Sequence, residues 1–441
     1  MKRALSFFVL LSSLLILQGC CSLKIPGIEA KLPQIDELTC AGKGNFVSLN
    51  RIIIRLKVPP IGIEKPTDDD IKELMGRVFP DKGPFEIKRC ACGDPDLMMI
   101  IFGNPVENQG DLLTSVQGLR DGGMNTDPAL VYKLKHSVYH KIPQLPASGG
   151  PLNPDMTGFI SDESDADVVV VLDSGLDLNR FAEEEFLFQN PTGLDCIAGG
   201  EPSSGYNFIE NNTVIQDNED KSHGTFVTKT ILERGGVSYK ILPLKIAKNR
   251  LVSYFDLLCA MSFAKQLKND HNVNIKFINA SLGFKLKRNL LDLLTGIANG
   301  GQMHLLKKYV DDFSDDAIFV TSAGNNGNNV DNYFGSAYYP AGFDSDNLIA
   351  VGGIKQSPIS KHPKSNYGTM SIDIAAPYEH KIDNEPVGGT SIGAAQISAS
   401  LAEFLNQNTQ LNPIQLKTQF LLNASQSTGL MNFIKDGKFE Q

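Results

Sequence analysis

From residue 165 onward the chain repeats one texture that few folds can use, short continuous apolar runs separated by stretches with helical spacing. The runs are "DVVVVL" at 167–172, "ILPLKI" at 241–246, "IKFINA" at 275–280, "AIFVTSA" at 317–323 and "NLIAVGG" at 347–353. A strand with one face in water alternates polar and apolar residues. These runs do not alternate, so both of their faces must be covered. Between them stand "HGTFVTKTILERGG" and "VSYFDLLCAMSFAKQLK", which suit helices. Buried strands alternating with helices predict an α/β domain of three layers around a mostly parallel sheet, over residues 161–435. Polar residues or glycines end several of the runs, at the sheet edge where open α/β folds hold ligands and chemistry.

The preceding region reads differently. A strand-like run at 46–57 is followed by the helical pattern "TDDDIKELMGRVF" with Thr67 as N-cap, then by the strand-like "FEIKRCA" and "LMMIIFG". A helix-compatible "GDLLTSVQGLRDGG" and a strand-like "ALVYKLKHSVY" complete it. Strand, helix, strand, strand, helix, strand is the order of a small split βαβ domain, here 46–140. Prolines and glycines over 141–160 mark a linker.

The first residues, "MKRALSFFVLLSSLLILQGCCS", combine a basic start with an apolar run from Ala4 to Leu17. A membrane span needs about 20 apolar residues, so this run fits the core of a signal peptide better. "LQGC" resembles the lipobox of bacterial lipoproteins. That resemblance implies export from a bacterial cell, removal of residues 1–19, and a lipid on Cys20, which would hold the protein to a membrane through a 20–45 linker. Cys21 supplies no aspartate retention signal, which leans towards the outer membrane.

With 41 basic against 50 acidic residues, a net charge of -9 and a pI near 5.4, the chain offers no electrostatic reason to bind nucleic acid. The cysteines at 40, 90, 92, 196 and 259 do not space as a disulfide framework. Cys90 and Cys92, two apart, would share one face of a strand, and Cys40 could pair with either. No further Cys or His stands beside them at ligand spacing, so no metal site is expected.

"GGTSIGAA" raises the question of Ser391, because Gly-Thr-Ser-Ile-Gly fits the nucleophile elbow of an α/β-hydrolase. That fold orders its triad Ser, acid, His. The histidines are His136, His140, His223, His271, His304, His362 and His380, and none follows Ser391. A chymotrypsin-like order would need two β-barrels, which the alternating elements deny. The remaining order, Asp, His, Ser, needs an acid at an early strand end, where "VVVVLDSGLD" places Asp173. His223 opens a helical pattern in "SHGTFV", and Ser391 opens another in "TSIGAAQISASLAEFL".

On these motifs the chain resembles the subtilisin-like serine peptidases, or subtilases, over about residues 160–430. "VLDSGLD", "SHGTFV" and "GGTSIGAA" are similar to the family's aspartate, histidine and serine motifs. "INASLG" resembles its substrate-binding strand and "SAGNNG" its oxyanion motif, while "NYGTMSIDIAAP" and "YPAGFDSDNLIAVGG" match its late strands. The resemblance implies a subtilisin-like fold and polypeptide substrates. Ser391 would be the nucleophile, His223 the general base and acid, and Asp173 the group that orients the imidazole. Asn325 would stabilise the oxyanion, and the backbone of Ser281, Leu282 and Gly283 would pair with an extended substrate. Tyr338 stands before "YPAG", where the family commonly has a small residue at the base of the primary specificity pocket. It is expected to shorten that pocket and favour small side chains.

The chain departs from the family in three places. Phe226 replaces a second histidine, and Ala395, with Gln396 beyond it, stands where a proline is usual. Only "ERGGVSYK" links the His223 helix to "ILPLKI", whereas members that bind calcium strongly often carry an extra loop there. A structural calcium is therefore left unassigned, and the chemistry requires no cofactor. The 46–140 domain has the element order of a subtilase propeptide, which implies self-processing at the linker and, with Cys20 lipidated, release of the protease from the membrane. His136 and His140, which lie in it, are read as structural. Two other readings use the same motifs: a catalytically silent subtilase fold that binds peptides or partners, and a lipoprotein whose only substrate is its own linker.

Overall fold

The computed structural model describes residues 45–57, 64–107, 109–121, 124–133 and most of 166–440, the longest internal omission there being 288–302. The expectations for Cys20, Cys40, His136, His140 and the 141–160 linker fall outside the described residues.

The N-terminal region runs β1 (Asn45–Arg55), α1 (Asp68–Val78), β2 (Phe85–Arg89), β3 (Leu97–Phe102), α2 (Gln109–Asp121) and β4 (Asn125–Lys133). Thr67 caps α1 reciprocally: its hydroxyl accepts from the Asp70 N–H, and the Asp70 carboxylate accepts from the Thr67 N–H at 2.8 Å. This satisfies two of the donors that a helix start leaves open. The apolar run in β1 serves two cores at once. Ile52 and Ile54 pack with Met75 of α1, Val116 of α2 and Phe102. Ile53, pointing the other way, joins Leu97 and Met99 in a cluster that contains Leu257, Leu258 and Tyr309 of the following domain.

That domain contains β5 (Asp167–Asp173), β6 (Tyr206–Asn207), α3 (His223–Gly235), β7 (Tyr239–Lys245), β8 (Ala247–Lys248), β9 (Leu251–Ser253), α4 (Tyr254–His271) and β10 (Ile275–Ala280). After them come β11 (Phe284–Lys287), α5 (His304–Asp311), β12 (Ile318–Ser322), β13 (Ser336–Tyr339), β14 (Leu348–Gln356), β15 (Ile359–Lys361) and β16 (Ile374–Pro377). The hairpin β17 (Glu379–Ile382) and β18 (Glu385–Gly388) leads into α6 (Thr390–Asn406) and α7 (Pro413–Asn423). Strands β16, β14, β12, β10, β5, β7 and β6 lie side by side in that order and pair in parallel throughout.

Why the runs are continuously apolar is visible in β5. Val168, Val170 and Leu172 enter the core under α4 and α5, while Val169 and Val171 enter the core under α3 and α6. A valine so placed contributes roughly 1.5–3 kcal/mol by burial. Helices cover both faces, giving the three-layer α/β fold.

The cysteine expectation needs correction. Four of the five form two disulfides, Cys90–Cys259 and Cys92–Cys196, with Cα atoms 5.5 and 5.2 Å apart. Cys90 and Cys92 follow the end of β2 in a turn, so they do not share a strand face. Their partners lie 169 and 104 residues away, separations that local spacing does not encode.

Candidate active site

The site assembles at the C-terminal ends of three adjacent parallel strands. Asp173 is the last residue of β5. On the neighbouring β10, Asn279 is level with Val171, so two residues further on Ser281 stands level with Asp173. Gly324 and Asn325 follow the end of β12, next along the sheet. Neighbouring strands are about 4.8 Å apart, so groups tethered to these ends converge without long side chains.

His223 is tethered to Asp173. Its Nδ1 lies 2.8 Å from Oδ1 and 3.0 Å from Oδ2 of the carboxylate, and both side chains are 3% exposed. The approach depends on Gly224, since a Cβ there would meet the Gly175 carbonyl at 2.2 Å and the Asp173 Cβ at 3.2 Å. Ser174 fastens the helix start: its hydroxyl accepts from the Gly224 N–H at 3.0 Å and donates to Asp217 at 2.5 Å. The Ser174 N–H also donates to Asp173 Oδ1 at 2.8 Å. The carboxylate, held by these donors, fixes one imidazole orientation.

Ser391 is the second residue of α6 and is tethered to Ser281. The Ser391 hydroxyl donates to the Ser281 carbonyl at 3.1 Å, and the Ser281 hydroxyl returns a bond to the Ser391 carbonyl at 2.8 Å. Gly389 caps the helix with φ +139°, a conformation that favours glycine. The pair is supported from beneath by Asn279, which donates to Ser281 Oγ and accepts from Ser398, each at 3.0 Å.

Asn325 is fixed by its oxygen. Its Oδ1 accepts from the Thr390 N–H at 2.9 Å and from the Thr390 hydroxyl at 3.1 Å, while that hydroxyl accepts from the Gly324 N–H at 3.0 Å. Spending the carbonyl oxygen on Thr390 leaves the amide NH2 as the outward donor. The Ser391 N–H lies in the first turn of α6, where helix donors lack intrahelical partners.

Of the three residues expected to form a substrate edge, Leu282 turns inward. Its carbonyl accepts from the hydroxyls of Thr321 and Ser322 at 3.2 and 3.3 Å. The Ser281 carbonyl instead takes the Ser391 hydroxyl. Tyr338, paired with Lys285 across β11 and β13, fills the space between Gly283 and Gly324. A Cβ on Gly283 would lie 2.0 Å from its ring and a Cβ on Gly324 2.3 Å from it. Burial raises the Tyr338 phenol above its ordinary range.

Phe226 packs with Ile382, Val387 and Ile392, joining α3 to the hairpin ahead of α6. The structure adds Asn279, Thr390 and Ser398, which sequence reasoning did not single out. Asn279, a polar residue inside the buried run "FINA", was the available signal. Among the described residues no group of three or more His, Cys, Asp or Glu side chains could hold a metal ion, and no helix is long and apolar enough to cross a membrane.

The subtilase family model matches residues 164–437, so the chain belongs to the subtilase family, whose members are serine peptidases acting on polypeptides. A search of curated proteins gives no match. Among solved structures, the epidermin leader peptide processing serine protease EpiP from Staphylococcus aureus is similar in fold, with 14% identity over 88% of this chain and 97% of that chain and a TM-score of 0.52. A lanthipeptide protease has 19% identity over 62% and 84% (TM-score 0.46), and a cold-adapted subtilisin-like serine proteinase 20% over 63% and 89% (TM-score 0.44).

Proposed function

We propose that the protein is a serine endopeptidase that cleaves peptide bonds through Asp173, His223 and Ser391. The observation that carries this reading is the buried Asp173–His223 pair, anchored one strand away from the Ser281 to which Ser391 is bonded. Rotation of the Ser391 hydroxyl away from the Ser281 carbonyl presents it to the imidazole. Ser391 then attacks the substrate carbonyl while His223 takes the hydroxyl proton, and Asp173 stabilises the resulting imidazolium. The oxyanion forms between the Asn325 amide and the Ser391 N–H, beside the positive end of α6. His223 returns the proton to the departing amine, leaving an acyl-enzyme that water hydrolyses by the same steps in reverse. None of this chemistry requires a cofactor, and no calcium ligands are assigned.

An extended substrate pairs with the backbone of Ser281 and Gly283, and Tyr338 restricts the adjoining pocket to small side chains. The N-terminal domain acts as a prodomain, the chain is exported and anchored through lipid on Cys20, and the enzyme cuts its own linker.

A silent peptide-binding role is favoured by one feature, the engagement of the Ser391 hydroxyl with a backbone carbonyl. The two readings separate when wild type and Ser391→Ala, each beginning after Cys20, are compared by intact mass, N-terminal sequencing and hydrolysis of unfolded protein. The peptidase reading expects a linker cut and hydrolysis in wild type alone. Equal behaviour of the two proteins would refute it.

A further inference from the structure

The N-terminal domain is attached to the peptidase domain in five ways that a discarded segment does not need. Both disulfides cross the boundary, Cys90 to Cys259 on α4 and Cys92 to Cys196 in the loop after β5. The "CACGD" turn that carries the first two cysteines is pressed against α4. A Cβ on Gly93 would lie 2.2 Å from Ser262 Oγ and 2.9 Å from the Phe263 nitrogen, and the Asp94 N–H donates to Ser262 Oγ at 3.1 Å.

The sheets are continuous as well. β4 pairs antiparallel with β9, Val131 opposite Ser253 and Lys133 opposite Leu251, so one six-stranded sheet carries strands of both domains. Ile53, Leu97 and Met99 share their core with Leu257, Leu258 and Tyr309. At the rim Arg55 bonds Asp94 at 2.7 Å and Asp312 of the peptidase domain at 3.2 Å, with its guanidinium 4.6 Å from the centre of the Tyr309 ring.

We propose that the N-terminal domain is a permanent, disulfide-held subunit of the enzyme, and that cutting the linker yields two chains that stay joined. Every bond between residues 92 and 196 lies inside both cross-linked loops. Cleavage anywhere in 141–160 therefore cannot part the halves. This replaces release at the linker as the outcome of processing: a protease anchored through its N-terminal segment remains at the membrane after the cut. Separation requires two dithiol molecules, one for each bridge: each gives two electrons and two protons and becomes a disulfide itself, so that the four cysteines become thiols. Cys92 and Cys259, one in each bridge, are 2% and 3% exposed, which limits access of such a reductant.

The test does not depend on the catalytic reading, because an added enzyme makes the cut. A recognition sequence for a site-specific protease is placed within 141–160 of the full chain carrying Ser391→Ala. The protein is digested to completion and run on a denaturing gel with and without dithiothreitol. The proposal expects one species at the position of the intact chain without reductant, and its loss into two fragments with reductant. Two fragments without reductant would overturn it. Should the inserted sequence resist digestion, unreduced wild type is alkylated in denaturant and its peptides are mapped by mass. Bridges joining the 90–92 turn to Cys196 and Cys259, in either pairing, support retention, whereas alkylation of all four cysteines or a Cys90–Cys92 bridge refutes it.

Discussion

Asn325 offers a substitution in which catalysis and stability separate. Its amide oxygen holds the Thr390 N–H and hydroxyl at 2.9 and 3.1 Å, and its NH2 is the donor assigned to the oxyanion. Asn325→Asp keeps the oxygen, removes the donor and sets a negative charge beside the developing one. Asn325→Ala removes both functions. Loss of the donor alone costs on the order of 10²–10³ in kcat, about 2.7–4 kcal/mol of transition-state stabilisation. The alanine variant additionally leaves two Thr390 donors without their acceptor, a further cost to stability of about 1–3 kcal/mol. Both variants should therefore lose at least about 10² in kcat with KM nearly unchanged. Only alanine should also lower the denaturation midpoint clearly. The assay is kcat and KM on a chromogenic peptide with a small residue before the scissile bond, beside urea unfolding of each variant. An aspartate variant within about threefold of wild type in kcat, well short of the loss expected for a donor, would refute the oxyanion assignment.

Tyr338→Gly should open the pocket between Gly283 and Gly324 and raise kcat/KM for a phenylalanine substrate relative to an alanine one by at least about tenfold; an unchanged ratio would show that the ring does not limit the pocket. The joint change Cys92→Ala, Cys196→Ala should cost about 2–5 kcal/mol in urea unfolding, since that bridge closes a loop of 104 residues. Burial in α4 raises the Asp256 carboxyl from 3.8 to about 6, with Lys88 and Ser253 opposing, so between pH 4 and 6 the folded chain keeps a proton that the unfolded chain releases. Stability therefore falls as pH rises through that window. Asp256→Asn should gain about 1–3 kcal/mol at pH 7 and nothing below pH 4, as measured by unfolding at both pH values.

The sheet was legible because its strands are buried on both faces. Val168 to Val171 have no polar partner to alternate with, and that pattern has few structural solutions. Positions at strand and helix ends were legible for the same reason: Asp173 closes a run and His223 and Ser391 each open one. What the sequence did not carry was long-range. Nothing near Cys90 or Cys92 points to Cys259 or Cys196, since the pairing depends on how the "CACGD" turn meets α4. Nor could the pattern of β1 reveal that Ile53 faces a different core from Ile52 and Ile54, because that requires knowing what lies on each side of the sheet. The contact between Ser391 and Ser281 likewise depends on strand register. Asn279 was visible as a polar residue in an apolar run, but its partners Ser281 and Ser398 are set by the packing of α6 over β10.

The central claim is that Ser391 is a nucleophile activated by His223. It is tested most directly by exposing the purified protein to a fluorophosphonate and locating the adduct by peptide mass mapping. Stoichiometric labelling of Ser391 in wild type, lost in His223→Ala while other serines stay unmodified, is the predicted result. An unlabelled Ser391 in folded wild-type protein, or labelling that persists without His223, would contradict it.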